Sequence, residues 1–221
     1  MRREELAGLV AASGLPAGLK SHLAAALARG RPFSFTAALK GDPRGFLRSA
    51  SRLLAGAAAA LGRPPEEVLF ATGFRPSNLA PRRLEAAFAE LLAAMLLREE
   101  GFSSIELIGT NGGRTADLSA VKAGLRWAFE VRCLSAGGRL DAELLAGKFR
   151  SKLPQARNAL KKYAFDRSAV ALVRAPLDFE DFTADPGLAA LAAAACPPEK
   201  RRPAAHLCVV DRGRFGVVPR W

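Results

Sequence analysis

The sequence is poor in the residues that metal-finger, disulfide-stapled and histidine-dependent proteins need. Its 221 residues include three cysteines and two histidines. Cys133, Cys196 and Cys208 are odd in number and far apart, so they build neither a disulfide framework nor a CxxC metal knuckle. His22 and His206 are too few for typical zinc or triad chemistry, because both use imidazoles at fixed spacing.

Long apolar runs are also missing. The sequence starts with Met-Arg-Arg-Glu-Glu and has no signal-peptide core there. No run approaches the ~18 apolar residues of a membrane span. We therefore expect a soluble, cytoplasmic protein in a reducing compartment, with no membrane partner.

Positive charge is present in excess. The chain has 33 Lys and Arg against 21 Asp and Glu, a formal net charge of +12, while half of its residues are apolar. This apolar fraction favours a folded protein over a disordered basic tail. A basic surface attracts the phosphates of nucleic acid, although a GC-rich genome that inflates the Arg and Ala counts is an alternative explanation.

The sequence divides into two regions with different periodicity. Residues 1–75 show helical spacing of apolar residues, interrupted by Gly and Pro, which predicts four or five short helices in a small all-helical basic domain. The Pro, Ser and Asn content of residues 73–81 is typical of a linker. Residues 76–221 are therefore predicted to form a second domain.

The second region combines helical and strand patterns. The predicted elements are a long helix over about 81–100, three strands of a meander over 102–108, 115–121 and 125–134, a basic helix over about 144–164, a buried strand over 169–173, and a hairpin formed by 206–210 and 215–218.

Two acids of this region are spaced to meet. Alternation along the third strand sends Glu130 and Arg132 to one face, and Asp117 lies in the preceding predicted strand, close enough in sequence to reach Glu130 across a short turn. Two carboxylates, completed by water and a phosphate oxygen, suit Mg²⁺. The alternative is that Asp117 only begins a strand and Glu130 pairs with Arg132 on an exposed face.

The order helix, strand, Asp-bearing strand, Glu-x-basic strand, basic helix and apolar strand resembles the PD-(D/E)xK nuclease superfamily over about residues 82–175. The segment from Glu90 to Phe102 is similar to the first helix of archaeal-type Holliday-junction resolvases and type IV restriction nucleases. Asp117-Leu-Ser-Ala and Phe129-Glu-Val-Arg are similar to their DLxA and hEVK motifs. The resemblance implies an α/β fold with a restriction-endonuclease-like central mixed sheet flanked by helices.

The resemblance also implies a function. It points to a metal-dependent endonuclease that cleaves phosphodiester bonds of DNA, including branched or mobile-element DNA, with RNA as an alternative partner. The implied cofactor is Mg²⁺ or Mn²⁺, held by Asp117, Glu130 and the carbonyl of Val131, with Glu90 assisting directly or through water. Glu85 is the substitute for Glu90, because it falls within the apolar stripe of the same helix.

One position departs from the superfamily pattern, since Arg132 stands where the catalytic lysine belongs. Arginine is a poor proton shuttle, and its planar fork does not superpose on an ammonium. Lys148, Lys152 and Gln155, on the polar face of the basic helix, are the candidates to compensate, although a proline at position 154 is expected to start or kink that helix.

Two other functions compete with the nuclease. One is a catalytically inactive protein of the same fold that acts as a DNA-binding or regulatory factor. The other is a structural protein of a phage or mobile element whose charge is incidental.

Several basic residues are expected to contact phosphate. The second half of residues 1–75 resembles the last helices of phage-repressor-type helix-turn-helix domains, with 31–39 as the groove-entering helix. A dimerisation domain, which would make the protein a homodimer, or a lid domain is the alternative. The candidate nucleic-acid contacts are Lys148, Lys152, Arg157, Lys161 and Lys162 in the basic helix, and Arg31, Lys40 and Arg44 near the amino terminus.

Overall fold

The computed structural model describes residues 2–29, 34–108, 116–134, 139–174, 181–196 and 205–221. Within these ranges the protein is mixed α/β, with eight helices and a seven-stranded mixed sheet. The helices are α1 (Arg3–Ala12), α2 (Ala17–Ala28), α3 (Ser34–Gly41), α4 (Pro43–Leu61), α5 (Pro65–Ala71), α6 (Arg83–Glu99), α7 (Ala142–Lys162) and α8 (Pro186–Ala195). The strands are β1 (Ser103–Leu107), β2 (Leu118–Lys122), β3 (Leu125–Leu134), β4 (Arg167–Arg174), β5 (Thr183–Ala184), β6 (His206–Asp211) and β7 (Arg214–Val218).

Six helices precede the sheet, and five of them, α1 to α5, lie within residues 1–75, in agreement with the sequence pattern. The signals that begin and end α4 illustrate why. The carboxylate of Asp42 accepts a hydrogen bond of 2.9 Å from the amide of Gly45, and Pro43 occupies the first helical turn, where no amide proton is needed. Gly62 ends the helix in the left-handed conformation, with φ of 62°.

The strand order is β1-β2-β3-β4-β6-β7-β5. The first three strands are antiparallel neighbours, and β6 and β7 form an antiparallel pair, so both the predicted meander and the predicted hairpin are confirmed. The centre of the sheet, β3-β4-β6, is parallel. Sequence analysis did not predict α8 or the two-residue strand β5.

Helices cover both faces of the sheet. Alternation in β4 directs Ala169, Ala171 and Val173 into one apolar cluster with α6 and the amino-terminal helices. The same alternation directs Val170 and Leu172 into a second cluster with α7 and α8. The central strands are therefore buried on both faces, which explains their continuous apolar sequences.

The amino-terminal helices pack directly on α6. Leu53 of α4 and Leu91 of α6 belong to the same buried cluster, and the guanidinium of Arg98 donates a hydrogen bond to the carbonyl of Ala59. Gly56 of α4 faces the side chain of Met95, where a Cβ atom would collide with it. The helices before the predicted boundary near residue 75 and helix α6 after it thus share one hydrophobic core.

Two local expectations are corrected. Asp117 lies immediately before β2, which begins at Leu118, rather than inside the strand. Helix α7 continues through Pro154 instead of starting or breaking there. Pro154 is on the exposed side of the helix, where water reaches the backbone, while Phe149 and Leu153 hold the opposite side against the sheet. Among the described residues, no helix is long and apolar enough to cross a membrane.

Candidate active site

A nearly buried ion pair joins the sheet to α7. Glu130 lies in β3 opposite Val170 of β4, on the face that α7 covers. The ammonium of Lys152, in the middle of α7, donates a hydrogen bond of 2.9 Å to Oε2 of Glu130. The Glu130 side chain is 4% exposed and that of Lys152 is 18% exposed. A carboxylate this far from water needs such a partner, so the pair fixes both side chains.

Asp117 is held against the same strand. Its backbone amide donates to the carbonyl of Phe129 at 2.9 Å, and its Oδ2 accepts a hydrogen bond of 2.7 Å from the amide of Val131. The β2-β3 register pairs Leu118 with Phe129, so its continuation by one residue sets Asp117 opposite Glu130. Residues opposite each other on antiparallel strands have neighbouring side chains. The register therefore places the two predicted acids at facing positions of neighbouring chain segments.

The Val131 backbone belongs to this same edge. In an extended strand the N–H and C=O of one residue point to the same side, so the Val131 carbonyl lies on the side of β3 from which its amide binds Asp117. This arrangement adds a neutral oxygen donor beside the two carboxylates.

Glu90 of α6 is electrostatically coupled to the cluster. The pKa of its carboxyl is raised to about 8, mainly by burial and in part by the charge of Asp117, while the charge of Lys152 opposes the shift. Glu85, the alternative acid of this helix, instead acts on two other groups: burial lowers the pKa of His22 and Glu85 partly offsets this, while burial raises the pKa of Cys133 and Glu85 adds to it. Glu90 is thus the acid of α6 that acts on Asp117 and Lys152.

The three other predicted catalytic side chains are placed differently. Lys148 lies one turn before Lys152 in α7 and is half-buried, but the ammonium that reaches Glu130 is that of Lys152. Gln155 is also half-buried, and its Oε1 accepts no hydrogen bond from the described residues. Arg132 is exposed, although it is directed to the same face of β3 as Glu130.

The predicted phosphate contacts differ in exposure. Of those in α7, Arg157, Lys161 and Lys162 are exposed, whereas Lys148 and Lys152 are half-buried. Lys40, in the last turn of α3, and Arg44, in the first turn of α4, are exposed as well. Arg31 and the start of the predicted groove-entering helix lie outside the described residues.

The donor set fits a hard divalent cation. No group of three His, Cys, Asp or Glu side chains in the described ranges is arranged to hold a metal ion. Mg²⁺ uses fewer protein ligands, because it keeps several waters and is bound through one or two carboxylates plus substrate phosphate. Asp117, Glu130 and the Val131 carbonyl offer that set. Burial is the main cause of the raised pKa of Glu90, and the negative charge of Asp117 adds to it; a cation would offset this second contribution.

Sequence analysis missed a row of basic residues on α4. It named Arg44 but not Arg48 and Arg52, which follow at intervals of four residues and are equally exposed. That spacing is itself a signal, since side chains four apart lie on one face of a helix.

Comparison with known proteins found no matching family model, no matching curated protein and no matching solved structure.

Proposed function

We propose that this protein is a metal-dependent endonuclease of restriction-endonuclease-like fold that hydrolyses phosphodiester bonds of DNA. The observation that carries the proposal is the position of the Lys152 ammonium, 2.9 Å from Oε2 of Glu130 and within electrostatic range of Glu90. Helix α7 thereby supplies a lysine beside Glu130, although β3 carries Arg132 at the position where the resembled superfamily has its lysine.

Asp117, Glu130 and the Val131 carbonyl would hold Mg²⁺ or Mn²⁺. The bound cation would polarise the phosphate and lower the pKa of the attacking water. Asp117 is held by the amide of Val131 and Glu130 by Lys152, so these side chains are oriented before substrate binds. Preorganised charge of this kind contributes more to catalysis than groups that reorganise during the reaction.

Lys152 and Glu90 have separate tasks under this proposal. The Lys152 Nζ orients the attacking water and stabilises the negative charge that develops on the phosphate. Glu90, with a pKa of about 8, holds a proton on its carboxyl near neutral pH until a cation binds. It then accepts hydrogen bonds from water beside Asp117.

The exposed cations of α7 would contact the phosphates of the substrate. Arg157, Lys161 and Lys162 continue the helix beyond Lys152 and are directed to solvent. Phosphate contacts position a nucleic acid without reading its sequence, so these residues account for binding rather than for specificity.

The test is cleavage of supercoiled plasmid and four-way-junction DNA with Mg²⁺, with Mn²⁺ and with EDTA. Metal-dependent nicking that is lost in Asp117→Asn and Glu130→Gln supports the proposal. Glu143→Gln is the matched control, because Glu143 is an exposed acid at the start of α7, and it should cleave as the wild type does. Cleavage that persists in both site variants would indicate a contaminating nuclease and overturn the assignment.

The exposed position of Arg132 favours a second candidate, a catalytically inactive protein of this fold that binds DNA as a regulatory factor. A wild type that binds duplex DNA but cleaves neither substrate with either metal would support this candidate over the nuclease.

A further inference from the structure

A second basic surface lies on α4, in the amino-terminal helical region. Arg44, Arg48 and Arg52 are all exposed and follow one another at intervals of four residues. Four residues advance an α-helix by about 6 Å, so the three side chains form a row about 12 Å long at Cα level. We call this row the α4 arginine row.

The row borders a cleft. The arginines line it together with the carboxyl-terminal end of α1, and its volume is about 780 Å³. The opposite face of α4 is buried, including Phe46, Leu53 and Leu54, so the helix that carries the arginines is fixed in place. A fixed helix loses little conformational entropy when a ligand binds.

The arginines are not neutralised within the described part of the chain. Helix α4 contains no Asp or Glu, and none of the described ion pairs involves Arg44, Arg48 or Arg52. The nearest acid in sequence, Asp42, accepts the amide hydrogen bond of Gly45 as the cap of this helix.

The end of α1 that borders the cleft is also compensated. A helix carries partial negative charge at its carboxyl end, which would repel an anion. The ammonium of Lys20 donates a hydrogen bond of 3.0 Å to the carbonyl of Ala11 there, and Ser13 begins the turn that follows. The partial negative charge at this end of α1 is therefore partly offset, and the charged side chains that line the cleft are the three arginines.

We propose that the α4 arginine row binds the phosphate backbone of duplex DNA. Each strand carries one phosphate per about 3.4 Å of helix axis, and neighbouring phosphates lie farther apart than this rise because the strand winds around the axis, so a row of about 12 Å reaches about two or three of them. Arginine suits this role because its planar guanidinium binds phosphate through two parallel hydrogen bonds.

The lining of the cleft favours a duplex over a single strand. Sites for single strands stack bases on aromatic rings. The described residues that line this cleft include Leu9, Ala12 and Leu47 but no aromatic side chain. The cleft therefore suits contact with the phosphate backbone of DNA without base stacking, and such contact does not read the base sequence.

The experiment is anisotropy titration of a fluorescein-labelled duplex DNA over a series of NaCl concentrations, in EDTA, so that cleavage plays no part. The test variant replaces the row with glutamine (Arg44→Gln, Arg48→Gln, Arg52→Gln). Its charge-matched control is Arg29→Gln, Arg63→Gln and Arg83→Gln, which removes three exposed arginines from outside the cleft. Circular dichroism checks that both variants are folded.

The row variant should lose about 10- to 100-fold in affinity, and the slope of log K against log salt should fall by about two to three. The control should lose much less. Equal losses in both variants would mean that net charge alone acts, and an unchanged row variant would mean that the row does not touch DNA; either overturns the proposal.

Two further probes compete with the duplex. Tighter, row-dependent binding of a labelled single strand overturns the assignment of a duplex. Row-dependent binding to phosphatidylserine vesicles without binding to DNA would assign the row to a membrane surface instead. Because the titrations contain no divalent ion, their outcome is independent of whether the Glu130 site cleaves.

Discussion

Lys152 and Glu130 form an ion pair of 2.9 Å across the interface between α7 and β3, and the Glu130 side chain is 4% exposed. The pair lies beside Asp117, which binds the next residue of β3 through the Val131 amide. The positive charge beside Glu130 therefore comes from Lys152 of the covering helix α7, whereas Arg132 of β3 itself is exposed.

The first prediction concerns the stability of this pair. Lys152→Met removes the ammonium and leaves a buried carboxylate, so the free energy of unfolding in EDTA should fall by about 2–4 kcal/mol. The Lys152→Met and Glu130→Gln double variant should recover part of that loss, because it removes the charge together with its partner. Urea unfolding of the wild type, both single variants and the double variant measures the coupling. If the losses in free energy of unfolding of the two single variants add up to the loss of the double variant, the interaction between Lys152 and Glu130 contributes nothing to stability.

The second prediction separates the two lysines of α7. Under the proposed function, Lys152→Ala should reduce metal-dependent cleavage by about 100-fold or more, because it removes the group assigned to orient the attacking water. Its affinity for DNA should change little. Lys148→Ala, one turn earlier, keeps the ammonium at Glu130 and should retain most of the activity. Plasmid nicking and duplex binding are measured side by side. If Lys152→Ala lowers affinity and the salt slope together, Lys152 is a phosphate contact rather than a catalytic group.

The third prediction uses the pKa of Glu90. Burial and Asp117 raise this pKa from 4.5 to about 8, so at intermediate pH the folded state binds a proton that the unfolded state releases. The protonated Glu90 carboxyl therefore makes its full contribution to the free energy of unfolding below pH 4.5, and this contribution is lost as pH rises through 8.

Glu90→Gln should remove this dependence. In EDTA, the wild type should lose stability relative to Glu90→Gln between about pH 5 and 8, by a few kcal/mol at most. Glu143→Gln, at an exposed site, should keep the pH profile of the wild type. Urea unfolding at a series of pH values measures the difference. Parallel stability curves for wild type and Glu90→Gln would contradict the raised pKa.

The fourth prediction concerns the aromatic cluster around His206. Burial lowers the pKa of His206 from 6.5, and its Nδ1 lies 2.7 Å from the Pro219 carbonyl, with Trp127 and Trp221 packed on the ring. The unfolded state binds a proton more readily, so stability should be lost as pH falls below about 6.5.

Both tryptophans of the chain lie in this cluster, so their emission reports its opening. The emission should shift to longer wavelength on acidification, and His206→Gln should need a lower pH for the same shift. His22→Gln is the companion control, because the pKa of His22 is also lowered by burial but its ring packs on Phe35 and Phe74 instead. An identical acid profile in wild type and His206→Gln would contradict this prediction.

The sequence contained enough information for most strands because their patterns are local. Strand β3 was predicted over 125–134 and is observed over Leu125–Leu134, since its alternation and the turn before it are both explicit in the residues. Helix α8 was missed because its alanine-rich sequence, over Pro186–Ala195, has almost no polar face to reveal helical periodicity. Its start signal, Asp185 capping the amide of Leu188, is recognisable only in retrospect.

The candidate site was only partly predictable, for a different reason. The proximity of Asp117 and Glu130 follows from short-range strand geometry. Which lysine reaches Glu130 depends on how α7 rotates against the sheet, and this is decided by the buried Phe149 and Leu153. Pro154 obscured the helical phase in the sequence, because a break at that position would have changed which side chains share a face.

The last prediction tests whether, under the proposed function, Lys152 serves in place of a lysine at position 132. Because the Lys152 ammonium already occupies Oε2 of Glu130, a second ammonium introduced by Arg132→Lys has no vacant role, and it leaves the charge at position 132 unchanged. Cleavage by Arg132→Lys should equal or fall below that of the wild type. In the Lys152→Ala background, Arg132→Lys should restore little activity, since the side chain at position 132 is directed to solvent. Nicking rates of the four proteins on one supercoiled substrate form the measurement. A rise of about tenfold or more in Arg132→Lys alone, the scale of a gained proton-transfer group, would show instead that the protein is a decayed nuclease whose strand lysine was lost and not replaced.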